Sequence, residues 1–201
     1  MRRKTFDVLL STGGLVVAAV LLAAGALLGW GHSFVNSNVH TQLASQQIFF
    51  PDKAALATET NPDIVKYVTP YAGQQVVTGQ QAEVFANHYI GNHLKAVADG
   101  KTYSQVSHQW LGMKPTDPNY DTITQERATL FQGETLRGLL LNAYAFGKIG
   151  QIAGIASVVA YIGAGVMFLL GVLGMAHAQR VNPRKQLGSM PTETPKELIT
   201  H

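Results

Sequence analysis

The best polar constellation in the chain lies in AEVFANHYIGNHLKAVAD, Ala82 to Asp99, where Glu83, Asn87, His88, Asn92 and His93 stand together and His108, Glu126 and Glu134 follow. Imidazoles and carboxylates are the groups of general acid–base catalysis and of metal ligation. A chelating pair on a helix wants two imidazoles on one face. His88 and His93, five residues apart, are separated by about 140° around an α-helix, whereas His88 and Asn92 share a face. His88, His93 and His108 are therefore weak metal candidates, and no bound metal or cofactor is expected. Caps, interhelix hydrogen bonds or a solvated face account for these side chains with fewer demands. The absence of cysteine removes disulfides, thiolate metal sites and cysteine nucleophiles, and no GxSxG, P-loop, dinucleotide-binding or HExxH pattern occurs. No catalytic residue is assigned.

A binding surface is the second candidate. Tyr67, Tyr71, Phe85, Tyr89 and Trp110, with His88 and Asn92, would suit an apolar pocket carrying a few convergent polar groups. The competing reading makes the aromatics plain core.

The helix holding these residues is predicted from Thr78, with Gln81 as capping-box partner, to a stop at Gly100. Its apolar face is Ala82, Phe85/Ala86, Tyr89/Ile90, Leu94 and Val97. A short helix from Thr102 buries Tyr103, Val106 and Trp110. A long one starts at Thr122, capped with Gln125, and runs uninterrupted towards Pro183. Between Pro51 and Gly79, three prolines and two glycines predict no regular element beyond a turn or short strand at QQVVTG.

Both long helices are predicted to cross a membrane. Val8 to Trp30 is uncharged and meets the roughly 20 residues a span requires. A cleaved signal peptide is the alternative, since Ala24-Gly25-Ala26 has small-x-small form, but Leu27, Leu28 and Trp30 carry the apolar run past it. Gly138 to Ala176 is apolar except for Lys148; as one helix it would be close to 60 Å long, twice a hydrocarbon core. Two spans would leave only Gly138 to Phe146 for the first, too short to cross. One span with an outward helical extension satisfies both lengths, with Lys148 as an interfacial anchor.

The net charge of +3 is unevenly placed: residues 32–147 hold seven Lys/Arg against nine Asp/Glu, and the basic excess sits at the two ends. That distribution reads as topology rather than as a nucleic-acid footprint. The expected organisation is a cytoplasmic N-terminus (1–7), a first span (8–31), an extracytoplasmic helical domain including extensions of both spans (32–147), an interfacial segment and second span (148–178), and a disordered cytoplasmic tail (179–201). The fold class is all-α: two antiparallel transmembrane helices extended outward, with a small, mainly helical extracytoplasmic domain.

Small residues mark the packing faces. Ala143, Gly150, Ser157, Ala164, Gly171 and Ala178 recur every seven residues in the second long helix, Gly150/Gly154 forms a GxxxG pair, and the first carries Gly25/Gly29, Ala19/Ala23 and Gly14/Ala18. Such faces admit close backbone approach in lipid, between the two spans or towards a homo-oligomer or another membrane subunit. Neither span holds a deep ionisable residue, which argues against an ion path through one chain. The glycines of GETLRG, Gly133 and Gly138, suggest close approach of another helix, and Glu134 and Arg137 are spaced for an intrahelical pair.

The strings QLASQQIFFP, YAGQQVVTGQQAEVFANHYIGNHL, GKTYSQVS and LFQGETLRGLLLNAYAFGKIGQIAGIAS resemble a family of actinobacterial two-span membrane proteins of unknown function, over nearly all of Gln42 to about Ala178. Its members often carry the label of aromatic ring-opening dioxygenase. Those enzymes need a clustered His/Glu or His/Tyr iron site, which the histidines of this chain do not match. The resemblance implies topology and no activity. The leading expectation is a non-enzymatic accessory or assembly subunit of a cell-envelope complex in the plasma membrane. An extracytoplasmic ligand-binding or sensing module and a metal-dependent envelope enzyme are the alternatives.

Overall fold

A computed structural model describes residues 3–180, and the tail expected to be disordered after Arg180 lies outside them. Among the described residues the chain is mainly helical, with no strand. Helix α1 spans Arg3–Ser45, α2 Lys53–Ala57, α3 Pro62–Tyr67, α4 Gly79–Val84, α5 Gly91–Val97, α6 Tyr103–Leu111 and α7 Tyr120–Arg180. A 3₁₀ turn occupies Thr69–Tyr71, and a π-helical segment, Phe85–Ile90, joins α4 to α5.

The prolines between Pro51 and Gly79 do not abolish helix, contrary to the sequence expectation. Asp52 caps α2 by accepting from Ala55 N, Asn61 caps α3 by accepting from Asp63 N, and Pro62 occupies the first turn, where its missing N–H costs nothing. QQVVTG forms one isolated bridge, Gln75 to Phe49, flanked by Phe50 N to Gln74 O at 2.9 Å and Val76 N to Ile48 O at 2.8 Å. Both expected capping boxes, Thr78 with Gln81 and Thr102 with Gln105, are present. Helix α7 begins two residues before Thr122, so that threonine lies inside the helix rather than capping it.

At about 1.5 Å per residue, the 43 residues of α1 and the 61 of α7 span roughly 65 and 90 Å. Each holds an 18-residue window of mean hydropathy 2.2 in which only 17% of residues are buried. A core helix of a water-soluble protein would bury most of that window. By length and composition both helices are able to cross a membrane.

Contacts divide the described residues into two units, one running up to Ala26 together with Val158 onwards, the other Leu27–Ser157. In the first, Ser11, Ala18 and Gly25 are buried on α1, and Ala164, Gly171 and Ala178 on α7, each set at seven-residue spacing. A Cβ on Gly171 would lie 2.9 Å from Leu15 Cδ2 and 3.2 Å from Ser11 O, and one on Gly25 3.1 Å from the Tyr161 ring. Ala19 and Ala23, read from the sequence as packing residues, are exposed. The face used is the one through Ser11.

In the second unit Leu43, Phe50, Ile64, Val68, Val76 and Phe85 centre one apolar cluster, and Leu94, Val106, Ile123 and Leu130 centre another. Here α1 and α7 also meet through small residues. A Cβ on Gly29 would lie 3.1 Å from Ser157 Oγ, and one on Gly154 only 2.7 Å from His32 Nδ1.

Candidate functional site

Among the described residues, the histidine on the π-helical turn is the only one of the three metal candidates that acquires a carboxylate partner. His88 Nδ1 lies 2.9 Å from Asp63 Oδ2, and Asn92 Nδ2 donates to the same oxygen at 2.7 Å and to His88 O at 2.7 Å. The Tyr67 ring stacks on the imidazole at 3.9 Å, with the Lys66 ammonium 4.7 Å from the Tyr67 centroid on its own account. Asp63 sits in the first turn of α3, where an acidic side chain complements the unpaired N–H groups. The His88 and Asn92 hydrogen bonds together hold its carboxyl below the usual carboxylate range.

A carboxylate on Nδ1 orients an imidazole, which is part of the arrangement of a general base. Among the described residues no three His, Cys, Asp or Glu side chains come together as a metal site, so His88, His93 and His108 are not brought to one point. His93 Nδ1 instead lies 2.8 Å from Tyr89 O in its own helix, and His108 is exposed on α6. The cluster's evident work is to tie α3 to the π-helical turn.

The turn itself is held from α7. Its wider hydrogen bonding runs from Gly91 N to Ala86 O, and the same carbonyl accepts from Arg137 Nε at 3.0 Å. Arg137 also donates to Asn87 Oδ1 at 3.3 Å and, through Nη1, to both oxygens of Glu134 at 2.9 and 2.8 Å. GETLRG thus meets FANHYIGNHL side by side. Gly133 is pressed against buried Leu94, but Gly138 has open space, so only one of the two glycines serves close approach.

Tyr67 lies outside both clusters, stacked on His88, and the other four aromatic candidates divide between them. Tyr71 stacks on Phe50 at 5.2 Å, Phe85 meets Phe50 edge-on at 5.3 Å, and Tyr89 packs on Phe85 at 5.0 Å. Trp110 belongs to the other cluster, donating Nε1–H to Thr124 Oγ1 at 2.9 Å beneath the Arg127 guanidinium at 4.3 Å. They build core rather than one pocket.

An apolar groove forms elsewhere in the same unit. A space of about 430 Å³ lies between α1 and α7, walled by Phe34, Val39, Leu43, Leu139, Leu140 and Phe146, with the amides of Asn38, Gln42, Gln46 and Asn142 along it. No lining residue bears a formal charge. Near its end on α7 Lys148 reaches Gln151 Oε1 at 3.2 Å and lies 5.5 Å from the Tyr144 ring centroid. On α1, Trp30 stacks on Phe34 at 5.6 Å, and His32 Nδ1 meets Gly150 O at 2.7 Å.

Of these features Asp63, His32 and the groove were not singled out from the sequence. His32 continues the seven-residue series Ser11, Ala18, Gly25, a signal that was readable. Asp63 was not, because 25 residues separate it from His88. No protein-family model, curated protein or solved structure matches the chain.

Proposed function

We propose that the chain is a non-enzymatic membrane protein with two antiparallel spans, both termini cytoplasmic and residues 32–147 outside, serving as an accessory or assembly subunit of a cell-envelope complex. The observation that carries the reading is how α1 and α7 divide their surfaces. Small residues are buried between them, while Leu10, Val20 and Leu27 on one and Ile162, Leu169 and Leu173 on the other stay exposed. Faces of that kind are suited to lipid chains or to another apolar helix. The antiparallel order is supported by pairings that run in opposite directions along the two helices. Gly14 meets Gly171 and Gly25 meets Tyr161 in one unit, and Gly29 meets Ser157 while Gly150 meets Asn36 in the other. The basic flanks support the orientation. The resemblance to actinobacterial two-span proteins agrees with it.

Purification in mild detergent from the native membrane, followed by native mass spectrometry, tests the subunit reading. A stoichiometric foreign chain is expected. A homogeneous monomer, with no envelope defect on deletion of the gene, would overturn it. The groove favours a second reading, a ligand-binding module, for which a retained small molecule would be the evidence.

A further inference from the structure

We infer that the groove between α1 and α7 receives one hydrocarbon chain of a membrane lipid. The inference rests on the membrane reading above and adds an occupant to it.

The groove offers about 430 Å³, a volume in the range of small-ligand pockets of roughly 300–1,000 Å³. Chemistry narrows the choice. Phe34, Leu139 and Phe146 are 56%, 62% and 58% exposed, a cost in water that an apolar occupant removes, and the uncharged lining offers an ionic group no partner.

Position selects lipid. The groove begins at Phe34, four residues past Trp30, and at Phe146, two residues before Lys148. An exposed tryptophan and a snorkelling lysine are the residues that mark a membrane–water boundary. The mouth therefore opens at the interface on both helices. Exposed apolar side chains stand on the span side of it, Leu27 and Trp30 on α1 and Ile149 and Ile152 on α7. From Phe34 to Gln46, and from Phe146 back to Leu136, the groove runs roughly 15–18 Å at 1.5 Å per residue. One leaflet of a 30 Å hydrocarbon core has about the same depth.

The test places the full chain in phosphatidylcholine/phosphatidylglycerol nanodiscs with a trace of phosphatidylcholine carrying a diazirine in one acyl chain, followed by photolysis and peptide mapping. Adducts are expected on groove residues within 34–46 and 136–146 as well as on the spans. Asn38→Trp and Leu139→Trp, at exposed positions that leave the core intact, should reduce the groove adducts at least fivefold and leave the span adducts unchanged. Adducts confined to the spans would overturn the inference while the membrane reading stood. Groove adducts indifferent to both substitutions, or a homodimer that blocks groove labelling, would also overturn it. Absence of adducts on the spans would remove the membrane reading and the inference with it.

Discussion

Asp63 is the residue whose chemistry depends most on its neighbours, because a half-exposed carboxylate at the start of a six-residue helix becomes the shared acceptor of His88 and Asn92. Its acidity is raised by those hydrogen bonds, so the folded state binds a proton there less readily than the unfolded chain does. The stability it lends is complete above the unfolded carboxylate value, near pH 4, and is lost as pH falls through the lower folded value. Thermal melts of wild type and Asp63→Asn should accordingly differ at pH 7 and converge below about pH 4. A pH-independent gap would mean that the carboxylate contributes by shape alone. Arg137→Lys keeps the charge but cannot serve Ala86 O, Asn87 and Glu134 together. A loss of about 1–2 kcal/mol is expected in denaturant unfolding.

At the scale of elements, the two glycines of GETLRG should respond with opposite signs. A Cβ at Gly133 meets Cδ1 of Leu94 at 2.8 Å and Cγ at 3.0 Å, and Leu94 is buried among Val106 and Leu130, so it cannot swing aside freely. Gly133→Ala should destabilise by about 1–3 kcal/mol, less the gain in helix propensity. Gly138→Ala, with nothing near its new methyl group, should stabilise by about 0.5–1 kcal/mol through a less free unfolded chain. Equal effects at the two sites, measured by equilibrium unfolding, would contradict the packing of α5 on α7. Between the long helices, Gly171→Leu would drive its side chain into Leu15 and the Ser11 carbonyl. Resistance to unfolding by sodium dodecyl sulfate should fall more for this variant than for Gly165→Leu, where there is open space.

For the whole molecule, the absence of cysteine makes topology directly measurable. Single cysteines at Glu59 or Lys101, in the segment proposed to lie outside, and at His177 near the end of α7, can be tested in intact cells with an impermeant maleimide. The proposed orientation requires labelling at 59 and 101 and protection at 177 until the cells are opened. The reverse pattern would invert the protein in its membrane, and labelling at all three would remove the span from α7.

Periodicity and length by themselves determined the two apolar helices, their continuation past the bilayer thickness and the helices capped at Thr78 and Thr102, because these follow from local sequence and its immediate caps. The seven-residue series on α7 was legible for the same reason; its buried members Gly150, Ser157, Ala164, Gly171 and Ala178 all lie on one face. The face of α1 was misjudged at Ala19 and Ala23, since several small-residue pairs compete there and only a partner helix chooses among them. Tertiary structure alone decided the rest. The π-helical turn at Phe85–Ile90 has no signature in its residue types, and it exists where Arg137 from another helix can hold the Ala86 carbonyl. Asp63 meets His88, and Phe34 faces the same groove as Phe146, across separations in the chain that no local pattern encodes.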